Sequence, residues 1–331
     1  MTFVKDMDFK GFKTPIAQLF RALIDADANP VRTSKKNITW DRLLPFVVLH
    51  LGCLGVIWTG VSPTAFIVAV ALYWVRMFLI TAFFHRYFSH KTFEMNRFWQ
   101  AIAAFGTLFA VQRGPLWWAA HHRHHHRHSD DQDDVHSPSQ RGFFWAHMGW
   151  ICCDANMPTR YELIPDLTKF PELVWINRLD WLGGVLLAGG LWLLGNYLYT
   201  LNGSTTGAQL LVWGFFISTA LLFHATCTIN SLSHVWGAQR FQTDDTSRNN
   251  PVLAIATMGE GWHNNHHFYP ASARQGFYWW EVDMTYYGLK LLAIFGVVKK
   301  LHPVPPWVYQ KAGVGLPSSF VPLSSSTMPS V

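Results

Sequence analysis

Residues 43–61 are apolar apart from His50, and 19 such residues suffice to cross a hydrocarbon core of about 30 Å. Ser62 and Pro63 interrupt the run, and a second one fills 64–84 and stops on His85. Two more, 182–201 and 208–229, carry no charge and are separated by a short loop, NGSTTG. The pattern predicts four transmembrane helices, the last two a hairpin. A shorter apolar stretch, 98–112, stops at Arg113, Gly114 and Pro115. Fifteen residues are few for a span, so it is expected to be re-entrant or to lie in the interface. Arg76 lies within the second run and leaves two arrangements open. Either it snorkels or faces the bundle, or the helix projects beyond the bilayer and carries His85 with it.

The polar remainder predicts three regions: a mixed-charge N-terminal segment over 1–42, with an amphipathic helix near 15–28; a membrane domain over 43–300; and a flexible Pro- and Ser-rich tail over 301–331. Composition agrees, with 50% hydrophobic and only 14% charged residues. Eight Lys or Arg precede the first span, ten lie between 85 and 180, seven follow 230, and the two opposite loops have none. This asymmetry predicts both termini and all histidine clusters on the cytoplasmic side. The opening MTFVKDMDFKGF puts charge where a signal peptide needs an apolar core, so no cleaved leader is expected. A net charge of +6 without a basic run interleaved with aromatics excludes nucleic-acid binding. Cys53, Cys152, Cys153 and Cys227 form no CxxC pair and are expected to be reduced.

The candidate chemistry lies in the histidines. Most of the 17 fall in HRYFSH (85–90), HHRHHHRH (121–128) and HNNHH (263–267). Residues three and four apart share a helix face, so His122, His125 and His126 can converge, as can His263, His266 and His267. His85 and His90 are five apart and need a helix end between them or separate metals. Asn230 and His234, four apart where the last span should emerge, add one imidazole and a weaker amide or water-mediated ligand. Nine histidines from four segments are too many for one tetrahedral zinc, but they suit two metals with positions left open. Two irons in such a site imply oxygen activation.

Other histidines are read more plainly. His50, His136, His147, His224 and His302 are expected to be ordinary surface or interface residues, and His121, His124 and His128 to support the ligands or face solvent. Asp130, Asp131, Asp133 and Asp134 are read as a solvated turn or as acceptors for imidazole N–H groups. Glu260 either orients a ligand histidine or lies on the surface.

HRYFSH, the HRHHH within the central tract, NSLSH and GEGWHNNHH closely resemble the histidine boxes of the membrane-bound fatty acid desaturases, in particular the acyl-CoA delta-9 (stearoyl-CoA-like) branch without a fused cytochrome b5 domain. The likeness runs from about residue 40 to 290. It implies an all-α membrane protein of four transmembrane helices under a cytoplasmic helical cap that holds a di-iron site and a bent acyl tunnel. The implied iron ligands are His85, His90, His122, His125, His126, His234, His263, His266 and His267, with Asn230 acting through water. The implied reaction uses O2 and two external electrons to place a cis double bond in a saturated acyl chain. An acyl-CoA substrate is implied, with a lipid- or carrier-linked chain as the alternative, because Ala120 and His121 replace the Arg-Asp of the family's animal members and Cys227 replaces a Trp. No HPGG heme motif occurs, so a separate donor of the ferredoxin, cytochrome b5 or flavin reductase type is expected. Competing readings are a membrane di-iron hydroxylase of alkanes or lipids and a histidine-rich metal transporter.

Overall fold

The computed structural model describes residues 25–27 and 37–313. The amphipathic helix expected near 15–28 falls almost entirely outside them. Among the described residues the fold is helical, without strands beyond isolated bridges. Four helices are long and apolar enough to cross a membrane: α1 (Trp40–Thr59), α2 (Pro63–Ser89), α6 (Trp181–Asn202) and α7 (Gly207–His234). Between and after them come α3 (Arg97–Thr107), α4 (Pro115–His128), α5 (Pro171–Arg178), α8 (Pro251–Ala256), α9 (His263–Phe268), α10 (Met284–Ile294) and α11 (Pro306–Gln310).

The spans divide into an inner and an outer pair. α1 buries none of its residues, whereas α2 and α7 supply most of the packed interior. Their cores are made of Ala65, Leu187, Leu191 and Leu210 within the bundle and of Met77, Ile80, Phe84 and Leu222 nearer the cap. Many large side chains remain exposed along the spans, among them Ile57, Trp58, Ile67 and Leu193. In a bilayer that surface meets lipid. α6 crosses against the turn after α3, where a Cβ on Gly183 would stand 2.3 Å from the carbonyl of Leu108. Only glycine permits that approach. The 11-residue α3 is too short to span and is not among the four candidates.

Arg76 faces the bundle. It is 1% exposed and donates to Ser218 Oγ at 2.6 Å and Thr219 Oγ1 at 2.8 Å on α7. α2 also continues past the apolar run to Ser89, carrying His85.

Residues 301–313, expected within the free tail, are packed instead. Val308 is fully buried with Phe241 and Phe277, and Gly313 N donates to Arg240 O at 2.8 Å. Aromatic residues on the cap offer this segment an apolar seat that composition does not reveal. Residues 314–331 lie outside the described set.

Candidate metal centre

Each histidine cluster is aimed by its own local structure. α4 begins at Pro115, a residue suited to the first helical turn, and its N-terminal amides at Leu116 and Trp117 donate to Asn177 Oδ1 at 3.0 and 2.9 Å. α5 thereby fixes the axis that presents His122, His125 and His126. α9 follows a turn in which Gly259 takes a φ of 126°, a value that side-chain-bearing residues avoid. Asn264 and Asn265, the polar pair inside HNNHH, anchor α9. Asn264 Oδ1 accepts from the backbone of Arg240 and Phe241 at 2.8 Å each, and Asn265 Nδ2 donates to Glu281 at 2.9 Å.

His85 and His90 meet because the last part of α2, Leu79–Ser89, is wound wide, with bonds closing over five residues. On an ordinary α-helix five residues advance about 500°, which leaves the two side chains about 140° apart. In the wider coil His90 N donates to His85 O at 3.2 Å, and the rings lie 5.0 Å apart. α2 ends at Ser89, so the helix end expected between the two histidines is present, and both fall in one group without separate metals.

All nine predicted histidines come together, in two groups whose ligand nitrogens lie within 4.8 Å of one another. His85, His90, His122, His126 and His266 form one; His125, His234, His263 and His267 form the other. The triplets are therefore shared between groups. The i,i+4 pairs 122/126 and 263/267 stay together, and His125 and His266 cross over.

The nitrogens face one another too closely for an apolar or empty setting. Nε2 of His90 and His122 are 2.8 Å apart, those of His266 lie 2.9 Å from both His85 and His126, and those of His234 and His263 are 3.1 Å apart. Nδ1 of His125 donates to Asp134 at 3.0 Å, Nδ1 of His234 to Asp130 at 3.2 Å and Nδ1 of His267 to Asp245 at 2.5 Å, and Glu260 holds Nδ1 of His85. With the proton on Nδ1, each Nε2 turns a lone pair inward. Nε2 of His125 and of His267 are buried without any hydrogen-bond partner, a deficit of about 1–3 kcal/mol each. A divalent cation in each group would satisfy these lone pairs, and carboxylates behind the imidazoles are the arrangement that fixes metal-ligating rings.

Protonation is set the same way. Burial, reinforced by neighbouring imidazoles, holds His90, His122, His126, His263 and His266 well below the usual imidazole range. His267 falls to about 4, burial outweighing Asp245. Burial alone would raise the carboxyls of Glu260, Asp134 and Asp245, but the facing cations and imidazoles hold all three low. Neutral imidazoles backed by carboxylates are the protonation state that ligation needs.

The remaining candidates sort clearly. Asp130 and Asp134 accept from ligand histidines, whereas Asp131 and Asp133 are exposed. His124 and His128 bond Asp133 O and Asp131, and His121 is buried under Pro158 O. His136 is not a surface residue; it is 5% exposed, packed 4.2 Å from the His125 ring. Glu260 orients His85 and also binds Arg86, which in turn holds Asp283. Asp245, Arg86 and Asp283 were missed. Asp245 stands 22 residues before His267 in a polar loop with no distinguishing pattern.

A cavity of about 510 Å³ leads to the centre between α1 and α7. Phe46, Phe216 and Phe223 line its membrane end, and Trp118, His122 and Asn230 its inner end. A smaller hollow of about 40 Å³ touches His85, His125, His263 and again Asn230. An apolar cavity that reaches the candidate metal site at His122 suits a long hydrocarbon. Residues 61–293 match the family described as fatty acid desaturase.

The chain belongs to the fatty acid desaturase family. It is 35% identical over 283 residues to the sn-2 palmitoyl-lipid 9-desaturase of Nostoc sp. (strain 36), covering 84% of this chain and 95% of that one. It is 34% identical to the acyl-CoA C20 Delta5-desaturase of Anemone leveillei, covering 85% and 90%. The sn-1 stearoyl-lipid 9-desaturase of Anabaena variabilis is also 35% identical, with 80% and 94% covered. The protein is thus an oxygen-dependent fatty acid desaturase, an oxidoreductase with candidate membrane helices and histidine groups compatible with a di-iron site. The transporter reading ends here.

Proposed function

We propose that this desaturase removes two hydrogens from a saturated acyl chain at the delta-9 position, leaving a cis double bond for unsaturated fatty acid synthesis. The observation that carries the reading is the pair of largely buried imidazole groups, which an apolar cavity reaches at His122. His85, His90, His122, His126 and His266 would hold one iron; His125, His234, His263 and His267, with Asn230 through water, the other. Bound iron supplies the activation of O2 that side chains cannot. The protein's share is to hold neutral imidazoles in place through Glu260, Asp130, Asp134 and Asp245, to lay the chain along Trp118 toward Asn230, and to exclude water. Relatives named as 9-desaturases of palmitoyl- and stearoyl-lipid support the position. Two electrons come from a separate donor docking on the cap, which the distribution of basic residues places in the cytoplasm with both termini. The membrane domain of this reading is 43–300.

Expression in a host that lacks unsaturated fatty acids, followed by mass spectrometry of its lipids, tests it. Wild type restores growth and yields monounsaturated chains with the double bond at carbon 9, and His125→Ala does neither. A hydroxylated chain without alkene, or an active His125→Ala protein, refutes the reading.

A further inference from the structure

The carboxylates behind the histidines are divided unequally between the two groups. In the group His125, His234, His263 and His267, three of the four rings are backed. Asp134 takes His125 at 3.0 Å, Asp130 takes His234 at 3.2 Å and Asp245 takes His267 at 2.5 Å. In the group His85, His90, His122, His126 and His266, Glu260 backs His85, and among the described residues no other carboxylate pairs with a ring of that group.

The charges are also compensated differently. Glu260 faces the buried cation Arg86, whose guanidinium also meets Asp283 at 3.0 Å. Arg123 lies behind His90, donating to Ser89 O at 2.9 Å and Phe88 O at 2.8 Å, and its charge is met by Asp166. Asp130, Asp134 and Asp245 have no Lys or Arg as an ion-pair partner among the described residues. They accept from neutral groups instead. Asp130 takes Ser137 Oγ and Thr246 Oγ1 at 2.6 Å each, Asp134 takes the amides of Asp130 and His136 at 3.0 and 3.1 Å, and Asp245 takes the amide of Ser247 at 3.0 Å. One group therefore has a single carboxylate shared with a cation, and the other has three that are not.

Imidazole is a neutral ligand, so adding rings does not change the charge around a metal ion. A carboxylate that accepts from Nδ1–H does, because it makes Nε2 more basic and acts across a buried, weakly screening medium. Its field favours a trivalent ion over a divalent one. Hydrogen bonding behind the ligands and local charge are the levers by which proteins set the potential of bound iron.

Resting on the proposed two-iron reading, we infer that the two groups are electronically unequal: His125, His234, His263 and His267 hold iron in the ferric state more strongly, and Asp130, Asp134 and Asp245 make them do so. Of two electrons delivered one at a time, the first converts Fe3+ to Fe2+ in the group backed by Glu260, and the second does the same in the group backed by the aspartates. No bond in the protein forms or breaks. The electron donor has to be strong enough for the second step, so the three aspartates set which donors can serve.

The full-length protein in detergent, loaded with two irons per chain, is oxidised with ferricyanide and reduced stepwise with dithionite through redox mediators. Mössbauer and EPR spectra count ferric and ferrous ions at each potential. Two one-electron waves are expected, at least 100-fold apart in equilibrium constant or about 120 mV, with a mixed-valence form between them whose valences are trapped. Asp130→Asn, Asp134→Asn and Asp245→Asn, each kept in excess iron and checked for two irons per chain, should raise the lower wave at least ten-fold, about 60 mV. The upper wave stays in place, so the gap narrows. Asp→Glu at the same positions keeps the charge and should return the lower wave toward its wild-type value. Glu260→Gln should raise the upper wave and widen the gap, an opposite sign that general loosening of the fold does not produce. A single two-electron wave, aspartate variants that leave the lower wave unmoved, or a gap that narrows in Glu260→Gln overturns the inequality. Wild-type protein that takes up no iron overturns the two-iron reading itself.

Discussion

His125 and His266 show how finely single side chains divide the work at the centre. Each leaves its own triplet and joins imidazoles from other helices, so the two groups are interlocked. The carboxylates behind them matter as much as the rings. Asp245→Asn weakens the acceptor on His267 Nδ1 and should reduce metal affinity about 10–100-fold, read as iron retained per protein after dialysis against a chelator. The lowered imidazole pKa values also set an acid limit. His90, His122, His126, His263, His266 and His267 take up protons more readily when unfolded, near 6.5, than when folded. Their folded state therefore loses stability as pH falls below about 6.5, by up to ~1.4 kcal/mol per unit for each such histidine. His125, raised by Asp134 against the effect of burial, opposes the trend. Thermal unfolding of the metal-free protein in detergent should move to lower temperature between pH 7.5 and 5. A midpoint that holds or rises would contradict the buried, neutral state of these rings.

The wide coil at the end of α2 decides the first cluster. HRYFSH spaces its histidines for five-residue closure, and periodicity arguments based on 3.6 residues per turn place them on different faces. The motif was legible, the geometry was not, because winding depends on the packing of Phe83, Phe84 and Phe88 against neighbouring helices. Close helix approach is similarly invisible in composition. Gly183→Ala should destabilise by about 1–3 kcal/mol, since its Cβ has backbone in its way. Gly189→Ala, with nothing within 4 Å, should be neutral or gain up to about 1 kcal/mol. Thermal melts of the two variants side by side check this.

Across the whole molecule, the four candidate spans carry the histidines to one end of the bundle, and the proposed orientation puts that end in the cytoplasm. Asn202→Cys, at the exposed end of α6, should react with an impermeant maleimide on intact cells, and Arg141→Cys on the cap should react only after lysis. The opposite pattern would invert the protein. The same architecture connects α1 to the candidate metal site, because the cavity lined by α1 is also lined by His122 and Asn230.

Apolar run length determined the four crossings by itself, since a bilayer admits few alternatives to a helix of about 20 residues. Helix periodicity, which is local, brought out His122, His125, His126, His263, His266 and His267 as convergent, and the histidine motifs supplied the other three candidates. Only the tertiary structure decided which imidazoles gather into each group and which carboxylates stand behind them. It alone seated residues 301–313 on Phe241 and Phe277 and linked His50, His224 and His147 across three segments. Those outcomes depend on contacts between residues tens to hundreds of positions apart, and no local pattern records which distant surface a side chain will meet.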